Sequence, residues 1–355
     1  MQILYPNQKI YWFTSALLLV SLGLFAQGDF NFQGQPVAPG THSIFQLEVQ
    51  HESDSTFIPV SVFHGSQAGP VLGITAGVHG YEYAPILAAQ EIAQQVDPKQ
   101  LSGTIILVHI ANVPGFLGRS PYTNPQDGKN LNRVFPGQKK GGITEQIAFQ
   151  ITQQIISRAD YFLDMHAGDA PEDLRPYVGY YQANRFAKAS DLGKQMALAM
   201  GFDHIVLFDV ADERLDEPSQ YCSQEAFHRG IPAVDIECGG LGLASPEAIS
   251  QITDGVFSLL RHLDMLDGES IRTEFPIMIT ERTSVLSAND GVFYPTKKGG
   301  DYVTEGMKVG YIRDFFGEHL TDVQANASGI ILYIIGTPPI QKGETIVRIG
   351  LVDPQ

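Results

Sequence analysis

The sequence has 355 residues, with 23 lysines and arginines against 39 aspartates and glutamates, which gives a formal net charge of −16. This excess of negative charge opposes binding to phosphate backbones and anionic membrane surfaces, and it argues against nucleic-acid-binding proteins as a class. The two cysteines, Cys222 and Cys238, are too few for a disulfide framework, and a chain of this length buries an adequate core without one. The length also predicts two domains.

The N-terminal segment, residues 1–27, has the composition of a signal peptide. Its one charged side chain, Lys9, is followed by an apolar run over residues 11–26 that ends in the small residue Ala26. The run is about 16 residues long, whereas a membrane-spanning helix needs roughly 20. The segment therefore predicts export, to the periplasm or beyond the cell, with an uncleaved membrane anchor as the alternative.

After this segment, short apolar runs alternate with amphipathic stretches as far as residue 267. Thr144 and Ser219 are the expected N-caps of two helices, and Ser245 followed by Pro246 predicts the start of another. Alternation of this kind is typical of an α/β domain with a mixed or mostly parallel sheet and helices on both faces, here over residues 28–267. The predicted strands are 43–49, 56–63, 71–76, 104–110, 161–165, 176–181 and 232–237, and the predicted helices are 83–96, 144–158, 184–200 and 219–229.

The strand predicted over 71–76 ends in a stretch that carries His79 and Glu82 before the next helix begins. In an open α/β sheet, ligands bind beyond the carboxyl ends of the strands. An imidazole nitrogen and a carboxylate three residues apart can bind one zinc ion and leave room for a third ligand and a water. The His-x-x-Glu spacing alone is a weak signal, because it also occurs on ordinary loops.

The segment 112–142 has no predicted helix or strand, and a loop of this length is commonly functional or disordered. It contains Arg119, Asn132 and Arg133. A guanidinium always carries its charge and binds a carboxylate through two parallel hydrogen bonds, which suits an arginine near a metal to an acidic substrate. The alternative is that these arginines form surface ion pairs.

The apolar run 161–165 ends in the same manner as the first, with His166 followed by small residues. Of the ten histidines, only His79 and His166 stand at the ends of such runs with a glycine within two residues. His109 lies inside a strand-like run and is interpreted as structural, as are the histidines that lack a partner at metal-ligand spacing. Asp164 is either an acceptor that orients His166 or an ordinary strand-end aspartate.

A third apolar run, 231–236, leads to Glu237 and two glycines. A carboxylate at this strand end could face the metal and accept a proton from water. Asp235 competes for this role, since the alternation of side chains along a strand places both carboxylates on one face.

From residue 268 onward the helical periodicity disappears. Short β-rich segments separated by turns follow as far as the C-terminus. This pattern predicts a smaller all-β domain over 268–355, with an antiparallel sandwich or barrel-like architecture.

The sequence resembles the succinylglutamate desuccinylase/aspartoacylase family, which is related to the zinc carboxypeptidases. The resemblance extends from residue 40 to residue 350 and implies a doubly wound α/β zinc hydrolase domain followed by a smaller β domain. It is carried by four motifs in the family's order: His79-x-x-Glu82, Asn130-Leu131-Asn132-Arg133-Val134-Phe135-Pro136-Gly137, His166 and Asp235-Ile236-Glu237.

The resemblance implies a role for each strand-end residue. His79, Glu82 and His166 would hold one Zn²⁺ per chain. Glu237, rather than Asp235, would accept a proton from water and pass it to the leaving amine.

The resemblance also implies residues that act on the substrate. Arg119 would polarise the scissile carbonyl and stabilise the oxyanion. Asn132 and Arg133 would bind the substrate, and Tyr294 in the β domain would contact it.

The predicted function is that of a zinc-dependent deacylase, which cleaves the amide bond of an N-acyl amino acid or a related small N-acyl amine. Its partner is a small-molecule substrate that bears a carboxylate, and association into a homo-oligomer is left open. The first alternative is an exported zinc metallocarboxypeptidase that acts on peptides. The second alternative is a binding module that kept the fold and lost catalysis. The presence of His79, Glu82, His166 and Glu237 argues against it.

Overall fold

The computed structural model describes residue 2 and residues 27–352, so most of the predicted signal segment lies outside the described residues. Within this part, no helix is both long enough and apolar enough to cross a membrane. The α-helices are α1 (Tyr83–Gln95), α2 (Val113–Gly118), α3 (Ile143–Gln154), α4 (Ala187–Leu198), α5 (Cys222–His228) and α6 (Pro246–His262). The 3-10 helices are Leu131–Arg133, Ile156–Arg158 and Asp212–Asp216.

The strands fall into an early group, which contributes mainly to one large sheet, and a late group. The early strands are β1 (Phe30–Phe32), β2 (Gln35–Val37), β3 (Thr41–His51), β4 (Asp54–His64), β5 (Gln67–Ala76), β6 (Ser102–Val108), β7 (Tyr161–His166), β8 (Glu172–Leu174), β9 (Tyr177–Gln182), β10 (His204–Asp209), β11 (Ala233–Glu237) and β12 (Ile277–Ile279). The late strands are β13 (Arg282–Leu286), β14 (Gly291–Pro295), β15 (Tyr302–Val303), β16 (Lys308–Arg313), β17 (His319–Gln324), β18 (Gly329–Ile335), β19 (Pro339–Ile340) and β20 (Thr345–Gly350).

The large sheet has nine strands in the order β12-β10-β9-β11-β7-β5-β6-β4-β3. Its centre is parallel, because β7 runs beside both β5 and β11 in the same direction. Antiparallel pairs flank this centre at β9 with β11 and at β4 with β6 and β3. The prediction of a doubly wound mixed sheet is confirmed.

Helices cover both faces of this sheet. The apolar sides of α1 and α6 pack on one face together with part of α4, while α3 and α5 pack on the other. α6 begins as predicted, since the Ser245 hydroxyl accepts a hydrogen bond from the backbone N–H of Ala248 and Pro246 opens the helix. The central strands are therefore buried on both sides, which explains their continuous apolar sequences.

The eight late strands form two antiparallel sheets with four late strands in each, as the β-rich pattern predicted, and β8 is the fifth strand of one of them. Ile331, Ile334 and Val347 belong to their shared apolar core. Two strands cross between the regions: β8 pairs with β18, and β12 pairs with β10 at the edge of the large sheet. The division at residues 267 and 268 stays a prediction, and the segment 277–279 joins the large sheet rather than the late strands.

Several local predictions are wrong. Thr144 lies inside α3, whose N-cap is Gly142, and the Thr144 hydroxyl donates to Asp127. Ser219 does not cap α5, because its hydroxyl donates to Glu225. The segment 112–142 contains α2 and a 3-10 helix, and β10 and the short β8 were not predicted.

Candidate metal centre

Two neighbouring parallel strands deliver the predicted ligands to one edge of the sheet. β5 and β7 are paired up to Ala76 and Met165, so the residues that follow them emerge side by side. His166 is the last residue of β7, His79 lies in the turn after β5, and Glu82 directly precedes α1. The sequence brings the three side chains together because each stands at the end of an element that the apolar core fixes.

The three side chains form a compact donor group. Oε1 of Glu82 lies 2.7 Å from Nδ1 of His79, and Oε2 lies 2.9 Å from Nδ1 of His166. One ligand atom from each residue lies within 4.8 Å of the other two. All three residues are buried, with at most 8% of any residue's surface exposed. Two imidazole nitrogens and one carboxylate oxygen that converge in this way are a donor set that zinc prefers.

The second nitrogen of each histidine is held by a different acceptor. Nε2 of His166 lies 3.0 Å from Oδ2 of Asp164, and the Thr75 hydroxyl donates to Oδ1 of the same carboxylate at 2.5 Å. Nε2 of His79 lies 3.2 Å from Oδ1 of Asn130. Acceptors at these nitrogens favour the tautomer that leaves each Nδ1 free to bind a metal. Asp164 is therefore the orienting acceptor, whereas the contact of Asn130 was missed because it depends on how a distant loop packs.

Charge is concentrated around Glu82. Burial acts to raise the pKa of Glu82, but the charges of His79 and His166 and their hydrogen bonds outweigh it and lower the pKa to about 2. Burial acts to lower the pKa of His166, but Asp164 and Glu82 raise it well above its usual range. The carboxylate between the two rings is thus held in its ionised, ligand form.

Glu237 ends β11 directly beside the metal centre. It is level with His166 on the neighbouring strand, and Asp235 is level with Asp164, so both acidic residues lie on the predicted face. Burial raises the pKa of Glu237 well above its usual range; the charge of His166 acts to lower this pKa, and the nearby carboxylates of Glu82 and Glu172 act to raise it. The register therefore puts the Glu237 carboxyl group at the strand end that carries the candidate ligands, which is the position expected of a general base.

Asp235 has a different environment. The Tyr181 hydroxyl donates to its Oδ2 at 2.9 Å, while its buried Oδ1 has no partner in the described part of the chain. Burial and then the charge of Asp164 raise the pKa of Asp235 to about 7. Glu237 is paired with the predicted ligand His166 on the neighbouring strand. Asp235 is paired with Asp164, two residues further from the strand end.

A close backbone contact joins the turn after β5 to α2. A Cβ atom on Gly80 would lie 2.1 Å from the backbone nitrogen of Phe116, so only glycine fits there. Arg119 follows α2 with a left-handed backbone, and its side chain is exposed. Its charge lowers the pKa of Tyr83, against the larger effect of burial. The structure places Arg119 beside the turn that carries His79 but shows no contact between Arg119 and the three candidate ligands.

Asn132 and Arg133 lie in the 3-10 helix that follows Asn130. Oδ1 of Asn132 accepts a hydrogen bond from the backbone N–H of Cys222 at 2.8 Å, so this oxygen ties the loop to the start of α5. Nη1 of Arg133 donates to the carbonyl of Asn132 at 2.6 Å, and its guanidinium lies 4.6 Å from the ring centre of Tyr221. The arginine is exposed beside the site, without a carboxylate partner in the described part of the chain.

Tyr294 is not brought to this group. Its ring stacks on Tyr311 at 4.9 Å and under Arg313 at 5.4 Å, within the four-stranded sheet.

The two cysteines are buried and not bonded to each other.

Two acids near the centre, the buried Asp169 and the partly buried Glu172, were not assigned from the sequence. Asp169 accepts hydrogen bonds from the backbone N–H groups of Tyr122 and Ala170, and Glu172 accepts one from Asp169. Burial and then the charge of Glu82 raise the pKa of Asp169 to about 6 and that of Glu172 to about 7. Asp169 stands three residues after His166, and this spacing is the sequence signal that could have indicated it.

Comparisons with known proteins agree with this geometry. The family model of the succinylglutamate desuccinylase/aspartoacylase catalytic domain matches residues 68–263. The N-alpha-acetyl-L-2,4-diaminobutyric acid deacetylase of Halomonas elongata is 28% identical over 88% of this chain and 91% of its own.

Solved structures show the same fold. A succinylglutamate desuccinylase/aspartoacylase from Rhodobacter sphaeroides superposes with a TM-score of 0.79 at 21% identity, over 93% of this chain and 99% of that chain. The product-bound ectoine utilization protein EutE (DoeB) from Ruegeria pomeroyi gives 0.78 at 25% identity, over 88% and 95%. With its catalytic-domain match covering more than half of the sequence and its ligand residues at the expected strand ends, this chain belongs to the succinylglutamate desuccinylase/aspartoacylase family.

Proposed function

We propose that this protein is a zinc-dependent deacylase that hydrolyses the amide bond of an N-acyl amino acid or a related small N-acyl amine. The observation that carries the proposal is the convergence of His79, Glu82 and His166, whose ligand atoms lie within 4.8 Å of one another. Family membership and the names of the relatives, among them a deacetylase of an N-acetylated amino acid, support the same reaction class.

The donor set fits one zinc ion. His79 and His166 would each bind through Nδ1, and Glu82 would bind through a carboxylate oxygen, since these atoms face one another. Three protein ligands leave a position for water or substrate, as in catalytic zinc sites. When bound there, zinc supplies a Lewis acid that lowers the pKa of a water and polarises a carbonyl group.

The residues of this chain supply the proton transfers and the positioning. Glu237, which is level with His166 at the strand end, accepts a proton from the attacking water and passes it to the nitrogen of the leaving amine. Asp164 and Asn130 fix the rings of the ligand histidines. The products are a carboxylic acid and a free amine.

The remaining substrate assignments are part of the proposal. Arg119 would stabilise negative charge on the carbonyl oxygen, and Asn132 and Arg133 would bind the substrate from the loop side. For Arg133, the support is a guanidinium exposed beside the centre without a carboxylate partner in the described residues. Tyr294 is the weakest assignment, because its contacts lie within its own sheet.

A substrate panel tests the proposal. The zinc-loaded protein is incubated with N-acetyl and N-succinyl amino acids, N-acetyl-2,4-diaminobutyrate and short peptides, and the released amine is measured. Hydrolysis of N-acyl amino acids is the expected result. Release of C-terminal residues from peptides alone would instead support the carboxypeptidase alternative.

Replacing Glu237 separates chemistry from metal binding. Glu237→Gln keeps the shape of the side chain but cannot accept the proton, so turnover should fall by roughly a hundredfold or more while the zinc content stays unchanged. Near-normal turnover would move the proton transfer to Asp235 or another group.

We also propose that the protein is exported, on the strength of Lys9 and the apolar run over 11–26. Expression of the full chain followed by cell fractionation and N-terminal sequencing tests this. Recovery of the intact chain in the cytoplasm would contradict it.

A further inference from the structure

Arg282 is the first residue of β13, at the point where the chain leaves the large sheet. β12 pairs Ile279 with Val206 on β10, so Arg282 comes close to Phe208, two residues further along β10. Its guanidinium lies over the Phe208 ring, 4.4 Å from the ring centre. This stacking contact fixes the arginine head group above the surface of the large sheet.

Phe208 extends over β9 towards the metal centre. A Cβ atom on Gly179 would lie 2.1 Å from Cε2 of Phe208, so the absence of a side chain at Gly179 creates the space for this ring. Gly179 is level with Asp235 on β11, and Tyr177 is level with Glu237. The guanidinium that rests on Phe208 is therefore positioned on the face of the sheet that carries Glu237 and His166.

The charge of Arg282 is not neutralised within the part of the chain that the structure describes. Arg282 forms no ion pair with a carboxylate there, in contrast to Arg175, Arg185, Arg214 and Arg229. It differs from an exposed unpaired arginine because its guanidinium is partly buried against Phe208. Burial lowers the pKa of Arg282, and the charge of Arg348 lowers it further, against the opposing effect of Tyr177. A partly buried guanidinium without a counter-ion, in a protein of net charge −16, favours an anionic ligand.

We propose that Arg282 binds the carboxylate of the N-acyl amino acid and makes the enzyme selective for substrates that carry one. The proposal rests on the proposed deacylase function and names its substrate class more closely. Arg282 approaches the site from the late strands, whereas Arg133 approaches from the loop beside Tyr221. The carboxylate would lie on the Glu237 side of the metal centre, with its oxygens facing the fork of the Arg282 guanidinium.

The test compares an acid with its neutral counterpart. Hydrolysis of the best N-acetyl amino acid from the panel and of its α-carboxamide is measured for the zinc-loaded parent, Arg282→Gln and Arg282→Lys. The ratio of kcat/KM for the acid to that for the carboxamide should fall by roughly tenfold to a hundredfold in both variants, which is the scale of a hydrogen bond between charged groups. Lysine should not rescue the ratio, because it lacks the bidentate fork.

Arg158→Gln is the matched control, since Arg158 also lies over a phenyl ring, 5.6 Å from Phe32, but precedes the opposite end of β7. The acid-to-carboxamide ratio of kcat/KM should be the same in Arg158→Gln as in the parent. The zinc content should be equal in all variants. An unchanged ratio in Arg282→Gln overturns the proposal.

A parent that hydrolyses neither compound refutes the deacylase function instead. Calorimetric binding of N-acetyl-2,4-diaminobutyrate and its carboxamide to the parent and Arg282→Gln then decides the role of Arg282. The proposed role of Arg282 is overturned if the parent and Arg282→Gln prefer the acid over the carboxamide equally, or if neither compound binds to the parent.

Discussion

The two histidines of the metal centre are supported by two different regions of the molecule. His166 belongs to the strand-built side, where Asp164 on the same strand holds Nε2 and Thr75 on the next strand holds Asp164. His79 belongs to the loop-built side, where Asn130, from a segment more than fifty residues away in sequence order, holds Nε2 at the longer distance of 3.2 Å.

The acceptors that support the two histidines differ in charge and in burial. An ionised carboxylate strengthens a histidine's hydrogen bond and raises the basicity of its metal-binding nitrogen more than a neutral amide does. Asp164 is fully buried in the sheet, whereas Asn130 is only partly buried. The strand-built side should therefore contribute more to metal affinity, and the loop-built side should allow adjustment when a substrate enters.

The largest effect is expected from removing either ligand. His166→Ala and His79→Ala each leave two protein ligands, so both variants should lose the zinc that the parent holds at about one ion per chain, together with measurable turnover. Metal analysis after dialysis measures this. Stoichiometric zinc in both variants would refute the proposed site.

Replacing the two supporting acceptors compares the sides directly. Asp164→Asn should weaken zinc affinity by roughly tenfold to a hundredfold, the range found when a hydrogen-bond partner of a ligand histidine is replaced. Asn130→Ala should weaken zinc affinity by roughly tenfold or less. Competition with a chelator gives both affinities. Equal losses of zinc affinity in the two variants would show that the strand-built side does not contribute more to metal binding than the loop-built side.

The Thr75 hydroxyl extends the comparison one contact further. Thr75→Val removes the donor to Asp164 and leaves one carboxylate oxygen without its hydrogen bond, which should lower the free energy of unfolding by about 1–3 kcal/mol. Thr152→Val is the control, since that buried hydroxyl has no partner in the described part of the chain. Denaturant unfolding should show little change for the control.

The smallest expected effect is on the pH dependence of stability in metal-free protein. Asp164 contributes to raising the pKa of His166 above 6.5 and that of Asp235 from 3.8 to about 7. A group with a raised pKa in the folded state stabilises it at low pH, and this contribution is lost as the pH rises through that pKa.

The parent without zinc should thus lose stability with rising pH more steeply than Asp164→Asn, by at most about 1.4 kcal/mol per pH unit for each proton. Unfolding curves recorded in chelator across the neutral range measure the slopes. A steeper slope in the variant would contradict the assigned causes.

The parts of the site that the sequence predicted are those encoded locally. His79, Glu82, His166 and Glu237 each stand at the end of an apolar run, and a buried strand fixes where the next residue lies. The common face of Asp235 and Glu237 followed from strand alternation in the same way.

The parts that were missed depend on tertiary packing. Asn130 contacts His79 because a distant loop packs against the metal-site turn, and Arg282 contacts Phe208 because a late strand folds back over the large sheet. No spacing in the sequence encodes these contacts. Thr144 was a reasonable cap by residue type, but Asp127 from a preceding loop takes its hydroxyl, and Glu145 accepts from the backbone N–H of Gly142 instead. Side-chain competition of this kind decides helix starts within one or two residues.

The exchange of strands between the two regions limits how this protein can be divided. β8, from the segment after His166, completes a sheet of the late strands, and β12, from beyond residue 267, extends the large sheet. A gene truncated after residue 267 would remove an edge strand from the catalytic sheet and leave β8 without its partner. The two regions are interlocked rather than modular, so recombination between relatives should succeed when both are exchanged together and fail when either is grafted alone.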